Sequence, residues 1–127
     1  MAATGVRWGR RLGPVAFGVA VGIALTVILM AWPQRTLVQR EDQPSTLRYR
    51  DGFTHHLGLY RERTLFGESY HLVIGSDPSL SYGHRVEIGA GGSLGVRATD
   101  WTSAGVRVRF TTGHELFVPA ALFISGR

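Results

Sequence analysis

The chain has 127 residues, and once its long apolar N-terminal segment is set aside the remainder suffices for one domain of ordinary size. A domain that small buries little more than about 60% of its unfolded surface, which argues against a deep internal active site. With no cysteine, disulfides, thiolate catalysis, iron–sulfur clusters and zinc–thiolate sites are excluded, and the net charge of +5 does not amount to a phosphate-binding patch.

Three of the 14 basic residues, Arg7, Arg10 and Arg11, precede the apolar segment, where no acid stands. The eleven that follow outnumber the nine acids by only two and are interspersed with them, so no nucleic-acid partner is expected. Every basic residue is Arg, a bias that fits a GC-rich bacterial genome, and the absence of lysine rules out a P-loop.

Residues 1–11 read as a basic N-terminal tail. Leu12 to Trp32 (LGPVAFGVAVGIALTVILMAW) carries no charge over 21 residues. As a helix it would measure roughly 31 Å, the thickness of a hydrocarbon core. Trp8 and Trp32 fall at its two ends, where indole rings favour the headgroup region. Pro14 is placed in the first turn, where its missing amide proton costs nothing, and Pro33 stops the helix. A cleaved signal peptide shares the basic-then-apolar pattern. The length of the run and the lack of a clear A-x-A site favour an uncleaved signal-anchor, with the lipid bilayer as its first partner. The three N-terminal arginines would keep the N-terminus cytoplasmic and send the rest outside the cell membrane, although Arg35 and Arg40 flank the far end. Gly18 and Gly22 form a G-x-x-x-G pair that would let two such helices approach closely as a homodimer.

Residues 33–45 are polar, contain Pro33 and Pro44 and lack an apolar period, so they read as a linker. Residues 46–127 then form a small β domain. No stretch there repeats apolar residues at helical spacing over three turns, whereas short β-branched and aromatic runs alternate with glycine. The fold class is mainly β, a small antiparallel meander, barrel or sandwich of about six strands behind one transmembrane helix. Leu57 to Phe66 and Ser69 to Ile74 predict a hairpin around Gly67-Glu68, and Arg85 to Ile88 and Val96 to Trp101 are shorter strands. Val106, Val108 and Phe110 alternate with Arg107 and Arg109 as a half-buried strand demands, and His114 to Val118 returns beside them after Thr112-Gly113. Ala120 to Ile124 is one helical turn or a short extended tail.

Gly91-Gly92-Ser93-Leu94-Gly95 matches the G-x-S-x-G of a hydrolase elbow, but no helix follows it and no large α/β sheet lies beneath. The same stretch has Leu94 where a dinucleotide loop needs its third glycine, so a plain turn is expected. His55, His56, His71, His84 and His114 are not spaced as ligand pairs, and no cofactor or metal is predicted. The most distinctive loop is Ser76 to His84, opened by Asp77-Pro78. Candidate ligand contacts are Asp77, Ser79, Tyr82 and His84 there, with His114 and Glu115 beyond, although Asp77 and Ser79 are also suited simply to bonding local amides.

Ser69-Tyr70-His71-Leu72-Val73-Ile74-Gly75, the run from Asp77 to Val86, and Gly105 to Phe110 with Gly113 to Ala120 together resemble small uncharacterised single-pass membrane proteins of high-GC Gram-positive bacteria. The resemblance implies one membrane span and brings no activity or catalytic residue. The expected function is therefore a membrane-anchored extracytoplasmic binding or structural module acting on an unknown protein or envelope partner. The alternative is a small membrane-tethered hydrolase or metal-dependent enzyme using His84, Asp77 and His114.

Overall fold

The computed structural model describes residues 9–90 and 92–124, so Arg7, Trp8 and Gly91 lie outside the described residues. The chain divides into two compact units, residues 1–32 and 33–127.

In the first unit a single helix, α1, runs Gly9–Ala31. From Leu12 to Ala31 every side chain is exposed, and the segment is long and apolar enough to cross a membrane or to act as a signal sequence. The helix starts three residues before the apolar run, which puts Pro14 in its second turn rather than its first. The proline cannot donate to the carbonyl one turn back, a defect that only a helix committed by its other bonds tolerates. Gly18 and Gly22 open onto empty space, and the Thr26 hydroxyl donates to the Gly22 carbonyl at 2.8 Å.

The second unit holds seven strands among the described residues: β1 Gln34–Asp42, β2 His56–Thr64, β3 Gly67–Gly75, β4 His84–Ala90, β5 Val96–Thr102, β6 Gly105–Phe110 and β7 Glu115–Pro119. A four-stranded antiparallel sheet has the order β1-β2-β3-β4, and a three-stranded one the order β5-β6-β7. The architecture is mainly β and is not a closed barrel.

Strand β1 corrects the linker reading, because residues 34–42 pair with β2 along their whole length. Its disguise has a physical cause. The register slips between Leu37 and Gln39, a bulge that leaves Val38 unpaired. Leu37 stands opposite Tyr60, and the extra residue turns Gln39 to the other face, opposite Leu59. The inward positions of β1 are therefore Gln39 and Glu41, so no apolar alternation is there to be read. Gln39 works as a backbone surrogate. Its amide nitrogen donates to the Val96 carbonyl and its oxygen accepts from the Val96 amide, both at 3.0 Å, clipping the start of β5 to β1.

The core lies between the sheets. Leu57, Leu59, Tyr70, Leu72 and Ile74 from the first meet Val96, Val106, Val108, Phe110 and Val118 from the second. The β2–β3 turn is Leu65-Phe66 rather than Gly67-Glu68, since Gly67 and Glu68 pair with Thr64 and Arg63. Between β6 and β7 the approach is tighter than a side chain allows, for a Cβ on Gly105 would lie 2.2 Å from the Val118 carbonyl oxygen. Ala120–Ile124 is helical (α2), and Phe123 seals one end of the core edge-on against Tyr49, His55 and Trp101.

A smaller cluster covers the outer face of the four-stranded sheet, where Leu80 packs with Tyr60 and Val73. Gly58 makes room for it, because a Cβ there would meet the Leu80 Cδ1 at 2.6 Å.

Candidate functional site

The β3–β4 connection, the loop singled out by its composition, is built around the Asp77 carboxylate. One oxygen accepts from the Ser79 amide at 3.1 Å; the other accepts from the Ser79 hydroxyl at 2.6 Å and the Ser81 amide at 3.0 Å. The Ser79 hydroxyl and amide foremost hold the Asp77 carboxyl below its ordinary range. The Leu80 amide donates to the Asp77 carbonyl at 2.9 Å, and Arg40 donates to the Pro78 carbonyl from the distant β1. All of this places Leu80, which has a positive φ of 54° and is 1% exposed, down on the sheet. Asp77 and Ser79 are thus spent on folding their own loop, and Tyr82 projects outward at 75% exposure.

His84 begins β4 opposite Ile74. The other nominated pair, His114 and Glu115, lies elsewhere, on the wall of a cleft of about 360 Å³ lined by residues of both sheets. Buried Tyr70 and Phe110 and half-buried Ile88, Leu94 and Leu116 give this cleft an apolar floor. Glu87, Thr112, His114 and Glu115 are exposed at its rim. The β4 residues in the cleft are Glu87, Ile88 and Gly89, so its far wall stands about five residues from His84, or roughly 16 Å along the strand. His84 and Asp77 therefore sit at one end of β4 and His114 at the other. The three residues named for the enzyme alternative therefore do not converge.

Within the cleft the polar groups are tied to neighbours. The His114 Nδ1 lies 3.1 Å from the Thr112 hydroxyl, and Glu115 pairs with Arg107 at 3.1 Å and Arg109 at 3.5 Å. Glu87 pairs with Arg85, whose guanidinium also reaches Glu62 at 3.2 Å. The Tyr70 hydroxyl donates to Glu68 at 3.0 Å and is the foremost cause holding that carboxyl below its ordinary range. An apolar trough rimmed by already paired charges suits recognition better than proton transfer. Among the described residues no group of three or more His, Asp and Glu side chains could hold a metal ion.

A second hollow, about 540 Å³, lies beside α2 with Arg48 and Arg50 on its wall and none of the nominated residues. Sequence reasoning missed Tyr70, Leu94, Phe110 and Leu116 as cleft residues. Each reads as ordinary core, because a sequence pattern does not say which core residues border an opening. Comparison with protein-family models, curated proteins and solved structures finds no match.

Proposed function

We propose that the chain is an uncleaved single-pass membrane protein, of the high-GC Gram-positive kind that it resembles, whose β sandwich is an extracytoplasmic binding module. The observation that carries this reading is the uncharged apolar run Leu12–Ala31 of α1, none of whose most apolar stretch is buried inside the molecule. Twenty such residues left in water would cost far more than a marginally stable domain of this size can offset, and a bilayer removes that cost. The N-terminal arginines support a cytoplasmic N-terminus. Gly18 and Gly22, with no neighbour within contact distance, are suited to pairing two copies. For the module itself, the cleft between the sheets supports ligand contact with an envelope partner through Leu94, Leu116, His114 and Glu87, its apolar floor and polar rim being suited to recognition.

The test is fractionation with intact-mass analysis. The full-length product stays with membranes through an alkaline wash, and protease added outside intact protoplasts digests residues 33–127. A mature product lacking α1, or protection of the β unit, would overturn the proposal. Photo-crosslinkers at Leu116 and, as a control on the opposite edge strand, at Arg97 then test the cleft, with partner adducts expected at Leu116 alone.

A further inference from the structure

The tip of the β2–β3 hairpin carries two adjacent exposed apolar side chains, one of them the most exposed large hydrophobic among the described residues. Phe66 is 99% exposed and Leu65 is 55% exposed. Their turn is nevertheless well formed, with the Phe66 amide donating to the Thr64 hydroxyl at 3.2 Å and that hydroxyl donating to the Gly67 carbonyl at 3.3 Å. A braced two-residue turn normally carries Asn, Asp or Gly. Here it holds up a fully exposed aromatic side chain and a largely exposed aliphatic one.

The strand register says which end of the sheet this tip occupies. Gln34, the first residue of β1, stands opposite Arg63. The tip therefore extends two to three residues, about 7–10 Å, past the point where the chain enters the sheet. Only Trp32 and Pro33 separate Gln34 from the end of α1, a tether that spans at most about 11 Å. Whichever way the domain leans, its entry corner stays within reach of the bilayer surface. The residues behind the tip match that surface. Arg63 is 63% exposed, and Arg61 and Arg35 lie on the same end of strands β2 and β1. Their long stems and charged heads suit a headgroup layer, and Glu62 and Glu68 leave the group a net positive charge.

We propose that Leu65 and Phe66 insert into the interfacial layer of the membrane that α1 spans, with Arg61 and Arg63 at anionic headgroups, so that the sandwich is docked at two points instead of swinging on one tether. The inference rests on the membrane-anchored reading, and the experiment separates the two.

The chain has no cysteine, so single-cysteine variants Phe66→Cys, Tyr82→Cys and Val21→Cys can each carry one environment-sensitive fluorophore. The labelled full chain is reconstituted in vesicles of equal parts phosphatidylcholine and phosphatidylglycerol, with and without brominated lipids. Val21 probes the membrane helix, and Tyr82 lies in the β3–β4 connection at the far end of the sheet. The expected result is strong quenching at Val21 by deep bromines, quenching with blue-shifted emission at Phe66 by shallow bromines, and neither at Tyr82. A Leu65→Asp change added to the Phe66 label should abolish its quenching while the β circular dichroism signal persists, which shows that the tip and not the dye drives insertion. Quenching at Val21 with none at Phe66 would overturn the docking and leave the anchor standing. No quenching at Val21 would overturn both.

Discussion

Truncating Leu80 tests whether the β3–β4 loop is a structural plug. The side chain is 1% exposed, packs on Tyr60 and Val73 and fills the space left by Gly58. Buried Leu→Ala changes cost about 2–5 kcal/mol, and because this hollow lies on the outer face of a sheet, where Leu37 and Tyr60 can relax into it, the lower half applies. Leu80→Ala should therefore lower stability by about 2–3 kcal/mol. The backbone supplies a second reading, for Leu80 has a φ of 54°. A left-handed non-glycine residue stores about 1–2 kcal/mol, which Leu80→Gly releases while losing the same contacts. The glycine variant should then be at least as stable as the alanine one, the reverse of the usual order. Urea titration of the full chain in mild detergent measures both, followed by Trp101 fluorescence in a Trp8→Phe, Trp32→Phe background. A loss below about 0.5 kcal/mol for Leu80→Ala, or a glycine variant about 1 kcal/mol weaker than alanine, would refute the reasoning.

Gln39→Ala removes both bonds to Val96 and leaves a buried amide and carbonyl unpaired, so a loss of about 1–3 kcal/mol is expected, read by the same titration. His71 gives a pH signature. It is fully buried, stacks on Tyr60 and faces Glu62, Glu87, Arg85 and Arg35, with both ring nitrogens lacking a hydrogen-bond partner. Burial first, then Arg85 and Arg35, holds its pKa below the ordinary histidine value. As pH falls below about 6.5 the unfolded chain takes up the proton first, so stability drops until the folded pKa is passed and then levels off. His71→Phe should flatten that part of a stability–pH curve relative to the wild type while costing little at pH 7.5, and an unchanged slope would exclude His71 as its source. Asp77, held low by Ser79, adds a separate loss that begins only below about pH 4. Gly18→Ile with Gly22→Ile should abolish self-association in membranes, measured by energy transfer between labelled copies. Unchanged transfer would remove these glycines from any contact.

The elements that could be read from the chain were those whose burial writes a pattern. An uncharged apolar run needs no tertiary partner to declare itself, and the alternation of Val106, Val108 and Phe110 against Arg107 and Arg109 follows from the two-residue period of a strand packed on one face. Where polar residues point inward the pattern vanishes. β1 escaped because a bulge at Val38 turns Gln39 to the core side and its apolar neighbour Leu37 to the other. The β2–β3 turn was misplaced because glycine marks Gly67-Glu68 as the bend, whereas the chain bends two residues earlier, at the apolar Leu65 and Phe66.

Composition alone thus determined that one stretch is long and apolar enough to cross a membrane or act as a signal sequence and that the rest is mainly β, since both follow from where water can and cannot be excluded locally. Which side chains meet across the sandwich is set by contacts between residues far apart in sequence. Only the folded chain turned the Asp77 loop into a scaffold for Leu80, parted His84 from His114, and gathered Tyr70, Leu94, Phe110 and Leu116 around an opening, because strand register and the facing of two sheets are properties of pairs of strands.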